Sequence, residues 1–387
     1  MHVCEMFINF IILSTALGER MSVREFGRLN VIRFLIRSFY EVQKVRVQTY
    51  NNIVAYVQYS GLYDKLKEEA KKIPKAEKSE EEEEELEDQS QLEEQSQEQS
   101  ETQISSASPK VNETQTENAK INAEIRPKDV ADDLIQGRLE TKDPEINDMI
   151  WYYKALRSTE KELGKKLDHW SADHPLRVQY LSKIKGIGPI FSSAILAYLS
   201  PISRFDTISK VWAYCGFSAI HYESECEEGH KIISTSPLTA CPVQIRGEGK
   251  GKRKPCGAKI IKSEKVNTPP RRKRGYYVAY NDKLKTFMWK IGVSFLKQNP
   301  QKSYYRRLFE EKKAYYTNRP DLAKELKEGK KGAKGHIHAM ALHYVIKRFL
   351  ANLWIRWREI EGLPTRKPYA IEYLGHTTYE PPPVDEP

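Results

Sequence analysis

The sequence predicts a mainly α-helical protein: N-terminal helices and a coiled coil, a disordered acidic linker, and a C-terminal helical domain with a helix-hairpin-helix and a basic loop insert. Three observations predict it. Apolar residues recur at three- and four-residue steps over residues 21–72. A heptad repeat runs through 144–171. Two apolar helical runs meet at a Gly-x-Gly-Pro corner within "KIKGIGPIFSSAILAYL", residues 183–199.

Residues 1–20 are a doubtful extension. "CEMFINFIILSTALG" has the apolar character of a secretory core. No Lys or Arg precedes it, Glu5 sits at its start, and it is too short to span a bilayer. Met21 is the expected start and the cytoplasm, in association with the nucleoid, the expected location. From there Phe26, Leu29, Ile32, Leu35, Ile36, Phe39 and Val42 mark one helix face over 21–72. Arg24, Arg28, Arg33, Arg37, Lys44 and Arg46 fill much of the rest, as a solvated face or a nucleic-acid-binding one. Residues 73–130 are Glu, Gln and Ser with almost no aromatics. Such a segment buries too little apolar surface to offset ordering entropy and reads as a disordered linker.

In 144–171, Ile146, Met149, Tyr153, Leu156, Leu163, Leu167 and Trp170 keep the coiled-coil spacing, and Glu160 is its single charged break. The repeat pairs either with the helix of 21–60 or with a second copy of the chain. The C-terminal domain is expected over 172–360. Within it, 203–217 reads as a turn and helix, and 218–275 as an irregular, basic, Gly/Pro-rich insert. Helices follow over 281–298, 303–316 and 335–358, then an unstructured tail from 361 to 387.

The formal net charge is +10, yet residues 76–103 hold thirteen acids against one lysine. The remainder therefore carries +22, a surplus that points to a polyanionic partner, most simply nucleic acid. Five cysteines in 387 residues argue against a disulfide framework. No Walker loop, HExxH or GxSxG sequence occurs. Asp206, Glu223 and Asp282 are scattered and read as caps or surface charges.

Three motifs carry candidate chemistry. In the hairpin, Gly186 and Gly188 permit turn conformations that a Cβ would forbid, and Pro189 suits the first helical position. The free N–H groups of the second helix then attract a phosphate, and Lys183 and Lys185 add charge. Such contacts position DNA without reading its bases. Cys226, His230, Cys241 and Cys256 could close a tetrahedral, structural zinc site, although no C-x2-C pair is present. The basic runs "RGEGKGKRK" (246–254) and "PPRRKRGYY" (269–277) place Arg271, Arg272, Lys273 and Arg274 beside tyrosines, as a nucleic-acid strand requires.

The ordered series "YLSKIKGIGPIFSSAILAYL", "SRFDTISKVWAYCGF", "GYYVAYNDKLKTFMWKIG", "SYYRRLFEEKKAYY" and "GHIHAMALHYVIKRFLANLW" resembles the C-terminal domain of the DEDD insertion-sequence transposases, the family that includes bridge-RNA-guided recombinases. The resemblance covers about residues 144–358. It implies a DNA recombinase, a DNA partner, a guide or structured RNA, and a homo-oligomer built through the coiled coil, with no membrane. In that family a serine of this domain attacks DNA, and Ser224 in "CGFSAIHYESEC" stands at about its position. The family's Ser-Gly pair is missing here. Its RuvC-like N-terminal domain with four acidic metal ligands finds no counterpart in 1–143, so a magnesium requirement stays open. The competing reading is a non-catalytic DNA- or structured-RNA-binding accessory protein.

Overall fold

The structure is a computed structural model that describes residues 23–73, 125–247, 252–330, 332–365 and 382–383. The expected extension over 1–20, nearly all of the acidic linker and most of the tail lie outside these residues. The chain is mainly helical and divides into two compact units, one of residues 37–165 and one of residues 1–36 and 166–387.

The smaller unit takes the second part of α1 (Val23–Tyr59), all of α2 (Leu62–Ala70) and α3 (Pro127–Gln136), and most of α4 (Pro144–Ser171). Gly61, at φ 77°, separates α1 from α2. The linker expected to run to residue 130 ends earlier, because α3 begins at Pro127. "PKDVADDLIQG" carries Pro at the first helical position, Asp129 folded back on the Arg126 backbone, and Gly137 as a left-handed C-cap. Val130, Leu134 and Ile135 then join Ile53, Val57 and Ile146 in one apolar core.

The bounds expected for the heptad helix match α4. Its partner within this unit is α1 of the same chain, and the two run antiparallel. Arg46 meets Glu160 at 2.6 Å, Tyr50 faces Tyr153 at 6.2 Å between ring centroids, and Tyr56 bonds Glu145 at 2.8 Å. The charged break in the repeat is thereby explained. Gln43 Nε2 also donates to Glu160 at 3.2 Å, and Arg46 Nη1 to the Tyr153 hydroxyl at 3.4 Å. Arg46, one of the basic residues expected on an outer face, is buried here at 3% exposure.

In the larger unit, α5 (Pro175–Gln179) and a short turn lead to α6 (Pro189–Leu199) and α7 (Ile208–Tyr214). Past a β region come α8 (Asp282–Leu296), α9 (Tyr304–Asn318), α10 (Pro320–Lys327) and α11 (Ala333–Ile360). α6 is largely apolar and mostly buried, with Ala194, Ile195 and Leu199 inaccessible. α11 is the central rod. Phe349 packs against Phe295 and Tyr305 at 5.3 and 5.6 Å, while those two rings stack at 4.6 Å. α8 crosses α11 at Gly292, where an added Cβ would fall 2.9 Å from Ile346 and Leu342. The buried Trp354 indole donates to the Phe205 carbonyl at 2.7 Å.

Residues 218–275, expected to be irregular, contain five β-strands among the described residues, and a sixth follows directly. A four-stranded sheet has the order β5-β1-β2-β6, from β1 (His221–Cys226), β2 (Lys231–Ser234), β5 (Ile260–Val266) and β6 (Tyr276–Val278). β1 pairs antiparallel with β2 and β5, and β2 pairs parallel with β6. β3 (Gln244–Arg246) and β4 (Arg253–Pro255) form a separate ribbon, and residues 248–251 of the first basic run lie outside the described residues. Among the described residues no helix is long and apolar enough to cross a membrane.

Candidate nucleic-acid interface and metal centre

The two glycines of the hairpin do different things. Gly186 sits at φ 92°, and its carbonyl accepts from Ser294 Oγ at 2.8 Å. A Cβ there would stand 3.1 Å from that hydroxyl and 3.3 Å from Phe295. Gly186 thus takes the turn conformation that a Cβ would forbid and binds the turn to the end of α8. Ile184 and Ile187 anchor the same turn from inside. Gly188 caps α6 in an extended conformation, is exposed, and has open space where a Cβ would project. Since Ser192 N–H is the first to bond back, to Gly188 O at 3.0 Å, the amides of Ile190 and Phe191 stand at the open end. Lys183 is exposed and Lys185 half-buried in the turn that precedes α6. The positive end of a helix dipole with open amides is the kind of place that can accept an anion.

Arg271, Arg272, Lys273 and Arg274 are all exposed and precede α8. Arg272 reaches Asp282 at 3.4 Å. Lys273 pairs with Glu223 and lies 5.7 Å from the Tyr276 ring centroid. The Lys273 ammonium, helped by His221, holds the Glu223 carboxyl below the usual carboxylate range. The basic segment and the hairpin therefore contact opposite ends of α8. Twelve residues separate Asp282 from Ser294, a distance of about 18 Å along a helix axis.

The predicted cysteine and histidine set comes together. The donor atoms of Cys226, His230, Cys241 and Cys256 all lie within 4.8 Å of one another. His230 Nδ1 is 3.5 Å from Cys226 Sγ and 3.6 Å from Cys241 Sγ. Two turns present them. Cys226 and His230 flank the β1–β2 turn, where Gly229 takes φ 74°. Cys241 and Cys256 are clamped by Cys256 N–H donating to Val243 O at 2.8 Å and Gly257 N–H to Cys241 O at 3.0 Å. Four donors of this type, largely shielded by Leu238, Val243 and Ile260, fit a closed tetrahedral zinc site of the structural kind. Among the described residues this is the group of His, Cys, Asp and Glu placed to share a metal ion.

Ser224 lies in the middle of β1 at 3% exposure, and its hydroxyl is 3.0 Å from that of Ser263 on β5. Ser263 is the exposed member of the pair. Strand alternation turns Glu223 to the other face of the sheet, where it is occupied by Lys273 and His221.

A further set of groups escaped the sequence reading. A cavity of about 920 Å³ lies between α8, α9 and α11, and Lys285, His343 and Lys347 are among its lining residues. The signal was present: His336, Met340, His343 and Lys347 repeat at helical spacing along α11, interrupting its apolar faces.

No curated protein and no solved structure gives a match to the chain. A family model does, over residues 178–236, from the end of α5 through the hairpin to just past β2. That stretch contains Gly186, Gly188, Ser224 and two of the four metal-type ligands, and it is similar to the model of the transposase IS116/IS110/IS902 family.

Proposed function

We propose that the chain binds DNA in transposition or site-specific recombination, with the N-terminus of α6 holding a backbone phosphate. The observation that supports this best is the corner itself: an exposed glycine cap and open amides, with exposed Lys183 in the preceding turn, inside the segment that matches the transposase family model. Arg271 to Arg274 hold the strand further along. Zinc on Cys226, His230, Cys241 and Cys256 fastens the β region. A guide or structured RNA and a second copy of the chain are the further partners this reading includes.

The test is binding to linear duplex, a four-way junction and structured RNA across a salt series of about 50 to 300 mM. The expected result is tight duplex or junction binding that falls steeply with salt. The pair Lys183→Ala and Gly188→Val should weaken it and lower the salt slope by about one for each phosphate that is no longer neutralised. Gly188 tolerates the side chain, because its φ of −87° is ordinary and nothing stands in the way. Absence of DNA binding at moderate salt would overturn the proposal.

Strand transfer by Ser224 is the second reading, favoured by its place inside the matched segment. The serine would need Ser263 to swing aside and a base or metal to take its proton. Nicked or covalently bound DNA that disappears in Ser224→Ala supports it. DNA binding with no such product in the wild type supports the non-catalytic binder.

A further inference from the structure

The cavity between α8, α9 and α11 combines charge and flat apolar walls. Arg271, Lys285, Lys312, Lys347 and Arg348 line it against a single acid, Glu311. Crowding like charges in a partly enclosed space, with Lys285, Lys312, Lys347 and Arg348 half-buried, is costly unless an anion joins them. Aromatic faces offset part of that cost. Lys347 lies 4.3 Å from the Trp212 centroid, and Lys312 lies 4.6 Å from that of Tyr344. Lys285 stands 5.4 Å from the Tyr280 ring and donates to the Pro270 carbonyl. Trp289, Tyr304 and Tyr316 supply further wall. His343 lines the same cavity, and its buried Nε2 has no hydrogen-bond partner among the described residues. Its ring stays neutral, since burial, then Lys347 and Lys285, push its pKa down to about 4.

A ligand that satisfies this set needs an anionic group for the lysines and a flat ring for the walls. A base-paired, stacked duplex hides its ring faces. An unstacked nucleotide shows face, edge and phosphate together. The volume lies within the roughly 300–1,000 Å³ of ordinary ligand sites.

We propose that this cavity takes an unpaired nucleotide of a nucleic-acid strand, with its phosphate at Lys285 and Lys347 and its base against the aromatic walls. The inference rests on the nucleic-acid reading above, but it assigns a different site and a different structural form of the polymer. Duplex is held at the α6 hairpin, and unpaired strand in the cavity.

The experiment compares a fluorescent oligothymidylate, the matching oligouridylate and a duplex on the full chain. The variants are Lys285→Met and Lys347→Met, which keep the aliphatic stems. Single-strand affinity is expected to drop about tenfold or more in each, with duplex affinity within about twofold of wild type. The Lys183→Ala, Gly188→Val protein should show the converse pattern, so failure of the hairpin reading and failure of this one are distinguishable. The two oligonucleotides separate DNA from RNA as the source of the strand. Equal losses on duplex and single strand, unchanged single-strand binding, or no binding of either oligonucleotide by wild type would overturn the proposal. Photo-crosslinking of wild-type protein to 4-thiothymidine in the same oligonucleotide covers the case of misfolded variants. Crosslinks at Trp289, Tyr304, Tyr316 or Tyr344 are expected, and crosslinks confined to other regions sink the idea.

Discussion

At the scale of single residues, Lys285 ties the chemistry of the cavity to pH. Desolvation, with Arg271 adding repulsion, pushes its ammonium down to about 8. An anion in the cavity favours the charged form, so ligand binding and proton uptake are linked. Oligonucleotide affinity should therefore fall as pH rises through about 8, and Lys285→Met should flatten that part of the profile. Stability moves the other way. The folded pKa is lowered from 10.5, so the charged form is penalised in full below about 8 and the penalty fades between there and 10.5. Lys347 and His343 line the same cavity, and burial lowers both in the same sense. A binding titration and a thermal melt over that pH range check the opposite signs. The hairpin glycines teach a related lesson. The sequence pattern marks both as special, and both are. Only the structure separates Gly186, held against Ser294, from Gly188, open to solvent.

At the scale of elements, the α1–α4 pair depends on a buried charge. Arg46 and Glu160 are 4% and 12% exposed at their side chains, with Tyr153 and Gln43 completing the network. Removing one partner strands the other in the core. Glu160→Leu alone should cost about 3–5 kcal/mol, whereas Arg46→Met with Glu160→Leu should come back close to wild type. A double-mutant cycle in urea measures this. Glu160 was legible as the odd residue of the heptad stripe, but Arg46 was not legible as its partner. Arginine at a helical position gives no sign of which face a neighbour will cover, and α1 serves both units in turn. The β region escaped for another reason. Its strands are three to seven residues long. β5, "IIKSEKV", is exposed over most of its length, so it shows no apolar alternation and is defined by its pairing with β1. The helices of 281–298 and 335–358, by contrast, follow from apolar spacing, and Leu284, Phe287, Met288, Ile291 and Phe295 are all buried as that spacing requires.

At the scale of the whole molecule, the β region has little core of its own. Cys226, Ile232 and Cys241 are buried, with Leu238, Val243, Ala258 and Ile260 packed around them. A metal would supply much of its folding free energy. Purified protein should carry about one zinc per chain by elemental analysis. Chelation, or Cys256→Ser, should release it and expose the β region to proteolysis while the helical far-ultraviolet signal persists. Full retention of protease resistance without metal would exclude the structural role.

The length of α8 has a geometric consequence. The basic segment engages its first turn at Asp282, Lys285 and Trp289 line the cavity along its course, and Ser294 holds the hairpin near its end. A helix is nearly inextensible, so these stations keep a fixed spacing. The about 18 Å from first to last equals about five base-pair steps of duplex. On the function proposed above, the helix is a ruler that fixes the spacing between the phosphate held at the hairpin and the nucleotide held in the cavity.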